Sequence, residues 1–245
     1  MLKTRAAFHS VILTTCLVTV AYGQTAALSF RPIDAEYSTA LDRIIMVSAG
    51  PSQLHIYNPV TKADTTVTLS AAPNAVSVSP DGLFAAVGHD NLITYVNLSN
   101  ASVTKTFTLT LNVNELVLAA NYIYLPPTMS IQISNGAVAG VLFPGSSVLR
   151  GVLSPGEQAI YWTYQYSSDL YRASTATGVL TNPLSSYIGS NCYSSNGTGI
   201  WLADSIVYTC GLAFEGNWLA VGAVWRGGRV GRRRRQTKVV ENVST

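Results

Sequence analysis

Ser79-Pro80-Asp81-Gly82-Leu83-Phe84-Ala85-Ala86-Val87-Gly88 decides how this chain is read. Proline presets φ, the aspartate side chain can bond the backbone that follows it, and glycine accepts a positive φ, so Ser79-Pro80-Asp81-Gly82 reads as a tight turn. The apolar run after it reads as a strand covered on both faces. Asn74-Ala75-Val76-Ser77-Val78, before the turn, alternates and reads as its antiparallel partner. Asp90-Asn91 makes the next turn, residues 92–98 a third strand and residues 103–109 a fourth. Four antiparallel strands within about 40 residues make one blade-like unit.

The unit recurs. Leu54, Leu92, Ile131 and Leu170 stand 38, 39 and 39 residues apart, and each opens a short strand-like run. The first unit places strands at 36–40, 43–47, 53–57 and 65–69, with Leu41-Asp42 and Asn58-Pro59-Val60-Thr61 as turns. The third places them at 115–119, 122–125, 130–134 and 138–143. The fourth has 148–153, the turn Ser154-Pro155-Gly156-Glu157, then 159–164, 169–173 and 178–180. A fifth, weaker unit starts near Cys192, takes Asn196-Gly197 as its first turn, residues 200–202 as its second strand and 206–208 as its third. The expected fold is all-β: a β-propeller of four-stranded blades, about five of them.

Ser79-Pro80-Asp81-Gly82 with its apolar strand, the Leu-x-x-Tyr strands Leu54-His55-Ile56-Tyr57 and Leu92-Ile93-Thr94-Tyr95, and the Asn58-Pro59-Val60-Thr61 turn together resemble the YVTN/WD40-like bacterial β-propeller repeats. The resemblance covers roughly residues 33–214. One unit alone has the full Ser-Pro-Asp-Gly turn, and none carries a Trp-Asp or Tyr-Val-Thr-Asn signature. The resemblance implies a fold that hosts many roles. It also implies rings of six or seven blades, more than this chain has room for. Either five blades close, or the chain is an incomplete ring of a larger propeller. Closure matters because an open sheet edge invites aggregation.

Composition fits a folded β-rich chain: 48% of the residues are hydrophobic and 11% are charged, so a disordered class is excluded. The net charge of +3 is unevenly placed. Residues 24–225 hold 6 basic and 11 acidic residues, whereas residues 226–245 hold 7 basic and one acidic. Lys3 and Arg5, an apolar stretch over 11–22 and Ala21-Tyr22-Gly23 before Gln24 read as a signal peptide over 1–23. The apolar run is shorter than the ~20 residues of a spanning helix, so no membrane span is expected after cleavage. The blade repeats then occupy 28–225. Residues 226–245, with Arg232-Arg233-Arg234-Arg235, read as a basic, disordered tail or as the product of a shifted or truncated reading frame after Trp225. No aromatic residue interleaves those arginines, so nucleic acid is not an expected partner.

Chemistry is sparse. No Gly-x-Ser-x-Gly elbow, HExxH motif, phosphate loop or dinucleotide fingerprint occurs. His55 lies within a strand. His89 precedes Asp90, but strand neighbours point to opposite faces, so this pair forms no dyad. Asp42, Asp81, Asp90, Asp169 and Asp204 all fall beside turns, where turn chemistry accounts for them. Asn74, Asn114, Glu115 and Arg150 stand near the starts of inner strands, where a channel mouth would gather them into a ligand site. After leader removal Cys192 and Cys210 remain and are expected to form a disulfide in an oxidising compartment. Asn97, Asn100, Asn196 and Asn242 begin glycosylation sequons. The expectation is a secreted or periplasmic monomer without catalytic residues, metal or cofactor that binds an unknown protein or carbohydrate. A lactonase-like hydrolase or quinoprotein-like propeller enzyme, or a truncated non-functional product, is the alternative.

Overall fold

A computed structural model describes residues 27–126, 129–140, 148–164, 169–175, 178, 181–187, 200–203, 206–209, 212–215 and 220–223. The leader, the arginine-rich tail, Cys192, Cys210, Asp204, Asn196 and Asn242 lie outside the described residues.

The first blade is an antiparallel meander of β1 (Asp34–Ser38), β2 (Arg43–Ala49), β3 (Ser52–Tyr57) and β4 (Asp64–Thr68), in that order across the sheet. The second has β5 (Pro73–Val78), β6 (Phe84–Asn97) and β7 (Ser102–Asn112). β6 is unbroken along the backbone yet holds two blade strands. Eleven extended steps would part Phe84 from Tyr95 by ~36 Å, but their rings stack with centroids 5.2 Å apart. The chain reverses at Asp90-Asn91, where Asn91 has φ 59°, and Leu98 N–H donates to Leu83 O at 2.9 Å across the hairpin.

The third blade comprises β8 (Val117–Leu118), β9 (Tyr122–Leu125), β10 (Met129–Gln132) and β11 (Val138–Ala139). The fourth comprises β12 (Val148–Leu153), β13 (Ala159–Tyr164), β14 (Asp169–Ser174) and β15 (Thr181–Tyr187). The fifth comprises β16 (Ile200–Ala203), β17 (Ile206–Thr209), β18 (Leu212–Glu215) and β19 (Ala220–Ala223). The first strands touch in succession, β1 to β5 to β8 to β12 to β16, which places them innermost in a radial array. Among the described residues β16 does not meet β1 as these neighbours meet, so the five blades form an arc and the ring is not closed.

The core lies between blades, since each of the first four presents an apolar face to its neighbours among the described residues. Ile45, Val47, Leu54, Ile56 and Val67 pack on Val76, Ala85, Val87, Val96 and Leu98. The opposite face of the second blade, with Ala86, Ile93, Tyr95 and Phe107, packs on Leu118, Ile123, Leu125 and Ile131. Val117, Ala119 and Tyr124 then meet Ile160, Trp162 and Ala173. Each fully covered aliphatic side chain contributes about 1.5–3 kcal/mol. The close fit shows at Gly88, where an added Cβ would lie 2.6 Å from Val113 Cγ1 and 2.8 Å from Val113 O. Gly88→Ala is expected to lower stability by about 1–3 kcal/mol in urea denaturation through this overpacking.

Three sequence expectations are corrected. The apolar beat runs through Leu54, Ile93, Ile131 and Leu170, all fully buried, while Leu92 is only partly buried. The fourth strand of the fourth blade is 181–187, not 178–180. Gly178 closes a turn, with φ 76° and its N–H on Thr175 O at 2.9 Å, and the strand carries Pro183 as an outer strand can. In the fifth blade, Ile200–Ala203 is the innermost strand rather than the second, and Ile206–Thr209 is second rather than third. The turn at Ser79-Pro80-Asp81-Gly82 holds: Gly82 N–H donates to Ser79 O at 2.8 Å with Gly82 at φ 73°, and Asp81 Oδ1 accepts Leu83 N–H at 3.0 Å.

Candidate functional site

Side chains on the inner strands reach across to the backbone of the next blade. β1 pairs Asp34 with Val47 and Glu36 with Ile45, so both carboxylates share the face that meets the second blade. Asp34 Oδ2 accepts Val76 N–H at 2.9 Å, and Glu36 Oε2 accepts Val78 N–H at 2.7 Å. Ser77 Oγ accepts Leu118 N–H at 3.1 Å, and Glu115 Oε1 accepts Gly151 N–H at 2.8 Å. An inner strand has a partner strand on one side only, so its other row of N–H groups needs acceptors from elsewhere. The preceding blade supplies them. Ala35, on the first inner strand, has no blade before it among the described residues, and its N–H turns to Asp34 Oδ1 of its own strand. Glu36→Ala is expected to lower stability by about 1.5 kcal/mol, the worth of a charge-assisted bond, with Glu36→Gln losing less; chemical denaturation measures both.

The channel-mouth residues stand at the inner strands of three successive blades. Glu115 holds Gly151 N–H, Asn74 Nδ2 donates to Asp90 Oδ1 at 2.9 Å, and Asn114 is exposed in the turn before β8. Arg150 sits in β12 opposite Thr163. His89 and Asp90 do not pair: His89 Nδ1 lies 3.1 Å from Ala72 O and Nε2 lies 3.0 Å from Thr94 Oγ1. Asp42 takes the Tyr37 hydroxyl and Asp81 the Ser79 hydroxyl, both beside turns. Asn97 Oδ1 accepts the N–H groups of Ser99 and Asn100, which ties its side chain into the hairpin turn. Asn100 is exposed at the tip, and its Oδ1 accepts the Ser102 hydroxyl at 2.6 Å. Among the described residues no group of three or more His, Cys, Asp and Glu side chains is placed to hold a metal ion, and no helix is long and apolar enough to cross a membrane.

A constellation that sequence reasoning missed lies on the face of the first blade turned away from the second. In the β2–β3–β4 register His55 stands opposite Met46 on one side and Thr66 on the other, with Ser48 and Asp64 on the two diagonals. All three side chains therefore share one face. Ser48 Oγ lies 2.9 Å from His55 Nε2, and His55 Nδ1 lies 2.8 Å from Asp64 Oδ2. Ser48 Oγ also lies 2.7 Å from Pro51 O. Ser48 is 1% exposed and His55 3%, while the Asp64 side chain is 29% exposed. Phe30 stacks flat on the imidazole with centroids 3.6 Å apart. The three residues stand 7 and 9 positions apart, a spacing that acquires meaning only from hairpin register.

No family model matches the chain, and no curated protein matches it. Solved structures do. A hydrazine synthase of Kuenenia stuttgartiensis is 13% identical, with a TM-score of 0.58 over 82% of this chain and 61% of that one. The Cps50 (Swd1) β-propeller domain of Myceliophteria thermophila is 10% identical, with a TM-score of 0.57 over 77% of this chain and 63% of that one. The RRP9 WD40 repeats are 11% identical, with a TM-score of 0.53 over 66% of this chain and 52% of that one. The chain spans less than two thirds of each of these structures. At these identities the likeness shows the fold, a β-propeller, and the fold alone.

Proposed function

We propose that this chain is a secreted propeller module that binds a protein or carbohydrate through its exposed turns. One observation carries the reading: the carboxylates that could have formed a channel site, Asp34, Glu36 and Glu115, each hold a backbone N–H of the next blade. The groups left to meet a partner are on turns held by a rigid scaffold, such as Pro59-Val60-Thr61 and Ser99-Asn100-Ala101. In this reading residues 1–23 are removed on export, Cys192 and Cys210 are bridged, and the mature chain is a monomer. Whether Asn97, Asn100 and Asn196 carry glycans then depends on the host.

The test is a binding measurement on the purified mature chain. Arrays of glycans and of extracellular proteins are screened, hits are titrated calorimetrically, and bound metal is assayed in parallel. Saturable binding by metal-free protein is the expected result. Stoichiometric calcium or a transition metal would replace the binding module with the propeller-enzyme alternative.

A further inference from the structure

We propose that Ser48, His55 and Asp64 form an acyl-transfer centre on the outer face of the first blade, acting on esters through a covalent acyl-serine. The proposal goes beyond the binding module and does not depend on it. Its basis is connectivity and geometry: nucleophile to base at 2.9 Å, base to orienting carboxylate at 2.8 Å, each on the correct ring nitrogen. Such centres are recognised by geometry and roles, not by chain order or fold. Three adjacent strands of one sheet hold the row, so its spacing is fixed by backbone pairing.

The Ser48 hydroxyl has one proton and two acceptors, Pro51 O and His55 Nε2. The reactive arrangement points it at Nε2. Ser48 Oγ attacks the ester carbonyl carbon while its proton passes to Nε2. His55 Nδ1–H stays on Asp64, which stabilises the imidazolium. The C–O bond to the alcohol then breaks, and Nε2 returns the proton to the departing oxygen. Water, deprotonated by Nε2, releases the acid and restores Ser48. Gly50, two residues beyond Ser48 in the β2–β3 turn, has no atom within 4 Å of its Cβ position, so an acyl group approaching on that side meets no side chain there.

Access is controlled by residues 27–33. Within this segment Ala27, Ser29, Arg31, Pro32 and Ile33 are exposed. It is held by the Phe30 ring on His55 and by Ile33 N–H on Val47 O at 2.8 Å. A strap with so few buried contacts opens at low cost.

The experiment treats the full chain with a fluorophosphonate, in which Ser Oγ displaces fluoride from phosphorus, and locates the adduct by peptide mass spectrometry. One adduct on Ser48 is expected. Ser48→Ala abolishes it, and His55→Gln slows it about a thousandfold by removing the base. Phe30→Ala quickens it by about three- to tenfold, the worth of one aromatic stack. Phe30→Ala leaves the row intact, so it stands as the control if a row variant fails to fold, as judged by circular dichroism. If neither the folded wild-type chain nor folded Phe30→Ala is labelled at Ser48, the row is a polar cap on the end of the arc and the proposal falls. Labelling spread over several hydroxyls and indifferent to His55 overturns it equally.

Discussion

Trp162→Ala is expected to destabilise the chain by about 3–5 kcal/mol, because Trp162 is the largest fully buried side chain among the described residues. Trp162 is fully buried in β13 and fills the space between the third and fourth blades against Val117, Ala119 and Tyr124. Its ring also stacks on Tyr171, with centroids 5.7 Å apart. Alanine would remove this area and leave a cavity in the middle of a four-stranded sheet, where β13 is paired on both sides and cannot move in to fill it. The indole Nε1 has no hydrogen-bond partner among the described residues. Trp162→Phe gives up that unsatisfied donor while keeping most of the apolar volume, so its loss should be about 1–2 kcal/mol. Urea denaturation followed by far-ultraviolet circular dichroism separates the two. Equal losses would mean that the retained phenyl volume recovers nothing and that filled space does not set the cost at this position.

His89→Ala is expected to cost about 3 kcal/mol, from a cavity and two lost hydrogen bonds. His89 is fully buried. With Nδ1–H donating to Ala72 O and Nε2 accepting from the Thr94 hydroxyl, the imidazole is neutral. Burial lowers its pKa below the ordinary 6.5, against the opposing pull of the Ala72 and Ala71 carbonyls and of Asp90. The unfolded chain therefore takes up a proton near 6.5, while the folded chain resists one until lower pH. This contribution to stability is whole above pH 6.5 and declines as the pH falls from there through the folded value. The slope reaches at most ~1.4 kcal/mol per pH unit for one proton. Denaturation midpoints measured from pH 7.5 to 5 should fall in the wild-type chain, and the His89→Gln variant should lack that part of the fall. Parallel curves would remove His89 as the cause.

Architecture was legible because its signals are local. A tight turn, an apolar run and a beat near 39 residues recur within sequence windows that a reader can scan, and turn residues such as Pro80, Asp81 and Gly82 act on their immediate neighbours. Errors entered where local signals tie. Leu92 and Ile93 are equally apolar, and only strand pairing decides which one faces the core. Pro183 reads as a turn residue until its strand is known to be an outer one. The fifth blade has no Ser-Pro-Asp-Gly turn to fix its phase, so pattern alone places its strands one position too far out. The proposed centre was not legible at all. Ser48, His55 and Asp64 meet through pairing across three strands, and the carboxylate-to-backbone bonds join residues 36 to 42 positions apart. Nothing in composition or spacing marks either set.

The inner-strand bonds also have a sense of travel. Asp34, Glu36, Ser77 and Glu115 all give their acceptors to the blade that comes later in the chain. A blade leaving the ribosome thus meets a neighbour that already offers acceptors for its inner-strand amides, while one bond runs the other way, from Ala120 N–H of the third blade to Glu157 Oε2 of the fourth. Removing the first blade would leave the Val76 and Val78 amides of the second without their carboxylates, whereas removing the fourth would take from the third blade the Glu157 acceptor at Ala120.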